Sequence, residues 1–162
     1  MSKNFEELIG KELRDRGWRL VVAESCTGGL IGHRITNISG SSTYYLGSIT
    51  AYAYRAKVRL LGVSWDTLEE FGAVSEQTIK EMSLGVRRVL AADIGLAVSG
   101  IAGPTGGTPE KPVGYAWIGL NTPEGFWTLQ HTAGGNRIEN KQEIAQKALE
   151  FLYEYLVNNG KD

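Results

Sequence analysis

A single cysteine, Cys26, stands among 162 residues, so the chain can close no disulfide on itself. The two histidines, His33 and His131, lie far apart and offer no metal-ligand spacing. Neither sign of charge dominates: 17 Lys and Arg against 18 Asp and Glu leave a net charge of -1. That balance supplies no basic field for nucleic acid. No apolar run is long enough to span a bilayer, and Met1 to Glu7 lack the apolar segment of a signal peptide. The expectation is a cytoplasmic protein with neither membrane nor nucleic acid as partner. Internal repeats, low-complexity tracts and linkers are also missing, so residues 1–162 are expected to form one domain.

What is present fits an ordinary globular core: 42% hydrophobic and 22% charged residues. The 21 glycines gather at 28–29, 100–107 and 134–135, which reads as a set of site loops. Phe5, Leu8, Ile9 and Leu13 recur at helical spacing, with Gly17 as a stop. Trp18 to Ala23 reads as a buried strand, Gly28 to Thr36 as a helix, and Tyr44 to Tyr54 as a strand rich in aromatic and β-branched residues. Arg55 to Leu61 predicts a short helix ending at Gly62. Asp66-Thr67-Leu68-Glu69 resembles a capping box for another that stops at Gly72. Ser75 caps a stronger helix with Ile79, Met82, Val86 and Val89 on one face. Ile94 to Ser99 is an apolar strand entering a long loop through Pro112. Val113 to Leu120 and Phe126 to Thr132 then read as a hairpin. A final helix runs from Arg137 to Leu156, with Ile144, Ala148, Phe151, Leu152 and Tyr155 inward. The alternation predicts a three-layer α/β/α domain with a mixed sheet.

Chemistry concentrates where the first strand ends, at Glu24-Ser25-Cys26-Thr27-Gly28-Gly29. Ligands of α/β proteins sit at the carboxyl ends of strands, beside helix amino termini. Ser25 there is either a nucleophile with an oxyanion site among backbone N–H groups, or, with Thr27, a plain helix cap. A cap needs one polar residue, and this turn carries four in a row. Cys26 is the rival nucleophile, since a helix amino terminus lowers a thiol pKa. A buried structural cysteine is the alternative, and neither histidine falls near it in sequence. A serine nucleophile needs a base. Tyr52 and Lys57 are the candidates, lysine serving once its pKa is lowered; a solvated lysine is the alternative. The loop at 100–112 matches neither a P-loop nor the dinucleotide fingerprint, yet its glycines suit an anion. Arg137 is either a second anion contact or a surface arginine. The aromatic run Tyr44, Tyr45, Tyr52 and Tyr54 fits core packing or an interface between identical chains.

Several landmarks recur in order: Ala23 to Gly29, Gly40-Ser41-Ser42, Tyr52 with Lys57, Leu61-Gly62-Val63, Gly72 to Ser75, Ser99 to Pro104, and Glu110 to Gly114. In these the chain resembles, over almost its whole length, the carboxy-terminal domain of the competence-damage-inducible protein CinA. That domain also occurs alone as nicotinamide-nucleotide amidase. The resemblance implies hydrolysis of the carboxamide of nicotinamide mononucleotide without metal or cofactor. Ser25 would be the nucleophile and Lys57 the base, acting directly or through Tyr52. It further implies substrate-binding positions at Thr27, Gly28, Gly29, Ser42, Ser99, Gly100, Gly103, Thr105, Gly106 and Arg137, with amides near Thr27 and Gly28 holding the oxyanion. The chain departs from the family pattern at Ala51, Ala53, Tyr54 and Arg55, where threonine, serine, asparagine and glutamate are usual. It departs again at Asn136 and Lys141, where aspartate and arginine are usual. Those departures keep two alternatives open: a nucleotide-binding or regulatory domain without activity, and an amidase for another small amide.

Overall fold

The structure, a computed structural model, describes residues 3–159; both ends of the expected 1–162 domain lie outside the described residues. Five strands form one sheet: β1 (Leu20–Glu24), β2 (Tyr45–Thr50), β3 (Ile94–Gly100), β4 (Tyr115–Thr122) and β5 (Gly125–Thr132). Their order is β2-β1-β3-β4-β5. β1 pairs in parallel with both β2 and β3, whereas β4 and β5 run antiparallel, so the sheet is mixed.

Six helices cover the two faces: α1 (Phe5–Arg16), α2 (Leu30–Thr36), α3 (Tyr54–Leu61), α4 (Trp65–Phe71), α5 (Glu76–Val89) and α6 (Arg137–Asn159). The strand alternation sorts them. Val22, Leu96, Ile118 and Leu120 pack with Ile9 and Leu13 of α1, Ile31 of α2, and Ile144 and Leu152 of α6. Val21, Ala23 and Ala97 pack on the other side with Leu61, Leu68, Ile79, Met82 and Val86 of α3, α4 and α5. The result is the expected three layers. No helix among the described residues is long and apolar enough to cross a membrane.

Local chemistry moves several boundaries from their expected places. Trp18 belongs to the end of α1: its N–H bonds to Leu13 O across the left-handed Gly17, φ 68°. Left-handed Gly28 and Gly29 hold a turn, so α2 starts only at Leu30. The expected strand at Tyr44 to Tyr54 is shorter, because the chain turns after Thr50 and Tyr54 already opens α3. α4 is capped by Ser64, whose Oγ accepts from Asp66 N at 3.2 Å, in place of the Asp66 box. Val89 is exposed rather than inward. β4 begins after Gly114, later than expected, and its turn to β5 is Pro123-Glu124.

One consequence of the topology positions the site. From β1 the chain leaves through α2 on one face; the return from β2 to β3 crosses the other face through α3, α4 and α5. A crevice therefore opens beyond the carboxyl ends of β1 and β3, where the connections diverge.

Candidate active site

Ser25 is the first residue past β1. Its N–H bonds to Val98 O at 3.2 Å, which extends the β1–β3 ladder and fixes the serine at the crevice floor. Lys57 reaches the same point from the first turn of α3, with its side chain 1% exposed. Its Nζ lies 2.9 Å from Ser25 Oγ, 3.0 Å from Ala51 O and 2.9 Å from Tyr52 O. Three oxygen partners suit the three donors of the ammonium; once the nitrogen is neutral, two N–H groups still serve the carbonyls and its lone pair faces the serine O–H. Burial lowers the lysine pKa from 10.5 to about 8. The two residues proposed from sequence as nucleophile and base thus meet, although 31 residues separate them in the chain.

Glu24, just before the serine, is fully buried. Its Oε1 accepts from Thr27 Oγ1 at 2.6 Å, Gly29 N at 3.2 Å and Ile31 N at 2.9 Å, and its Oε2 accepts from Gly32 N at 3.0 Å. The amino end of α2 is therefore already occupied by an internal carboxylate. Gly28 N is also engaged, on Ser25 O at 3.1 Å. These bonds engage the Thr27 hydroxyl and the Gly28 and Gly29 N–H groups, and none of the three residues lines the cleft, which corrects the expected oxyanion donor at Gly28 and the expected substrate contacts at Gly28, Gly29 and the Thr27 side chain. The N–H groups of Cys26 and Thr27, by contrast, donate to no oxygen of the described residues.

Cys26 lines the cleft beside Ser25. Its surroundings reverse the expected lowering of its pKa: burial pushes the thiol up to about 12. The nearby Lys57 and Lys141 charges pull the other way but do not outweigh burial, and Cys26 is a neutral thiol at physiological pH.

The cleft encloses about 310 Å³. Ser25, Cys26 and Lys57 line its floor, Ala73, Val74, Ile101 and Ala102 its apolar wall, and Thr105, Gly106 and Arg137 its polar rim. Ser99, Gly100 and Gly103 line it as expected. The Ser99 hydroxyl is tied to Ala73 O at 2.8 Å, and Gly100 is the last residue of β3. From Ala102 to Gly107 no backbone N–H donates to an oxygen of the described residues, so the loop keeps free donors for an anion. Ser42 does not join the site: it sits in the 3-10 turn Ser41–Thr43 ahead of β2, at the opposite end of the sheet.

Arg137 and Tyr52 span the rim. The arginine donates from Nη1 to Gly103 O at 2.6 Å and from Nη2 to Tyr52 Oη at 3.1 Å. Tyr52 is therefore split in role, its carbonyl holding Lys57 and its hydroxyl meeting Arg137. Behind them Asn140, fully buried, accepts from Gly135 N at 2.8 Å and donates to Ala102 O at 3.0 Å, pinning the glycine loop to α6. Sequence reading passed over Asn140. Its signal was there: Asn140 extends the inward stripe of Ile144 and Ala148 by one turn, so a polar side chain was due to face the core. Nothing local marked Glu24 as the partner of α2, or Ala51 as the source of a lysine-binding carbonyl.

Known proteins share this arrangement of elements. The family model described as CinA C-terminal domain matches residues 2–156. A CinA-like protein of Desulfosudis oleivorans is 52% identical over 149 residues, which cover 91% of this chain and 36% of that protein. The chain spans little more than a third of the length of the curated relatives it matches. The crystal structure of competence damage-inducible protein A from Klebsiella pneumoniae is similar at a TM-score of 0.92 and 34% identity, over 97% of this chain and 99% of that one. That of competence/damage inducible protein CihA from Agrobacterium tumefaciens is similar at 0.86 and 37%, over 98% of each. With matches over nearly its whole length in both sequence and structure, the chain belongs to the CinA C-terminal domain family.

Proposed function

We propose that this chain is a serine–lysine amidase that hydrolyses the carboxamide of nicotinamide mononucleotide to nicotinic acid mononucleotide and ammonia. The observation that carries the reading is the 2.9 Å contact between Lys57 Nζ and Ser25 Oγ inside a cleft. Neither group is useful alone: a serine hydroxyl is a weak nucleophile, and an ordinary lysine is charged at neutral pH. Together, one activates and the other attacks.

Ser25 Oγ forms a bond to the carboxamide carbon while its proton passes to Lys57 Nζ. Negative charge gathers on the carbonyl oxygen. The Cys26 and Thr27 N–H groups are the donors available to receive it. The tetrahedral intermediate collapses, the C–N bond breaks, and the Lys57 ammonium protonates the nitrogen, which leaves as ammonia. Water then attacks the Ser25 ester, giving one proton to Lys57, which returns it to Ser25 Oγ as the acid departs. The apolar side chains of Ala73, Val74, Ile101 and Ala102 suit an aromatic ring. Arg137 and the free amides of the Ala102–Gly107 loop suit a phosphate.

Ammonia release from nicotinamide mononucleotide tests the reading, with nicotinamide and its riboside as controls. Turnover should require the nucleotide, and Ser25→Ala should lower kcat by about 10³-fold or more with the fold intact by circular dichroism. Binding of the nucleotide without turnover would instead favour a regulatory domain. Turnover of a non-nucleotide amide alone would favour a different substrate.

A further inference from the structure

Resting on the amidase reading, we infer that Tyr52 is a positioning residue for the arginine that receives the substrate anion, and that its hydroxyl takes no part in moving the proton. A relay through a phenol requires its oxygen to touch both the base and the group that loses or gains the proton. The structure leaves no room for that step: Lys57 Nζ bonds Ser25 Oγ directly, and its two remaining partners are backbone carbonyls. The Tyr52 hydroxyl points elsewhere. Its partner is Arg137 Nη2 at 3.1 Å, and the side chain is 60% exposed. A guanidinium stays protonated throughout the working pH range, so it can neither receive a proton from the phenol nor pass one on.

What the tyrosine does is hold the guanidinium from one side while Gly103 O holds it from the other. Both partners are uncharged. Among the described residues no carboxylate pairs with Arg137, so its charge is left for a ligand. Two of its five N–H groups are spent on these supports, and three remain. A guanidinium fixed at two points loses less freedom when it meets an anion, and its planar fork matches phosphate oxygens in pairs. The chemistry recognised at this rim is that of a phosphate monoester.

A double-mutant cycle of Tyr52→Phe, Arg137→Ala and the pair decides the matter. In the wild-type background Tyr52→Phe should raise KM for nicotinamide mononucleotide about three- to tenfold, the worth of one hydrogen bond. Its kcat should stay within about twofold and the pH at which activity half-rises should not move. In the Arg137→Ala background the same change should raise KM no further. A kcat loss of an order of magnitude with a displaced pH profile, or an equal KM effect without Arg137, would overturn the assignment. Calorimetric titration of the four proteins with nicotinic acid mononucleotide gives the same coupling without any turnover. If the wild type binds this nucleotide but hydrolyses nothing, the amidase reading fails while the binding cycle still decides the role of Tyr52. If it neither binds nor hydrolyses, both fall.

Discussion

Lys57 acts through what surrounds its one nitrogen. Burial disfavours the ammonium, and two carbonyls leave a single direction for the lone pair, toward Ser25. In the proposed mechanism the base must be neutral to accept a proton, so activity should be lost as pH falls below the lysine pKa. kcat/KM should therefore climb with an apparent pKa of about 8 and level off above it. A profile that climbs only near the ordinary 10.5, or one without that limb, would remove Lys57 as the base. The chemical types at this site were legible in the sequence: a serine on a glycine-rich turn, and a lysine after a strand. Their meeting was not, because it depends on how β2 and α3 fold back over β1. Cys26 shows the same limit: its neighbours in sequence point to a reactive thiol, and its burial in the fold makes it an inert one.

At the scale of elements, α2 depends on a residue outside itself. A seven-residue helix has too few internal bonds to stand alone, and Glu24 serves three of its early N–H groups and the Thr27 hydroxyl. Glu24→Gln keeps the shape but turns one acceptor oxygen into a donor facing donors. The variant should lose about 2 kcal/mol or more of stability, read as a lower urea midpoint at an unchanged slope. An unchanged midpoint would mean that the carboxylate charge is dispensable. Helix interiors such as Ile79, Met82 and Val86 were readable because burial imposes the helical period on sequence. Boundaries were not, since left-handed Gly28 and Gly29 and the long-range partners of Glu24 and Ser25 decide them. In α5 the Ser75 cap and the stripe of Ile79, Met82 and Val86 match the expectation, and only Val89, at the helix end, departs from it.

For the whole molecule, a buried lysine couples stability to pH. Folded Lys57 holds its proton with a pKa of about 8, against an ordinary 10.5. Between those values the unfolded chain binds more protons, so stability rises as pH rises through the window; below it the full penalty of the buried charge remains. Lys57→Met lacks this dependence. Its stability relative to wild type should be flat below pH 8 and fall by a few kcal/mol from there to 10.5. Parallel curves of denaturation midpoint against pH for the two proteins would refute this coupling. The layers and the mixed sheet followed from the order of periodic segments. The position of the cleft followed only from the strand order, with β3 beside β1 although β2 intervenes in the chain.

That last pairing ties chemistry to the order of assembly. The serine turn and the glycine loop are distant along the chain and become neighbours only when β3 zips onto β1, a non-local contact that forms late and slowly compared with helical turns. The return of the proposed amidase activity during refolding should accordingly serve as a clock for the closing of the sheet's centre, and a fragment ending before Ile94 lacks the second wall of the cleft.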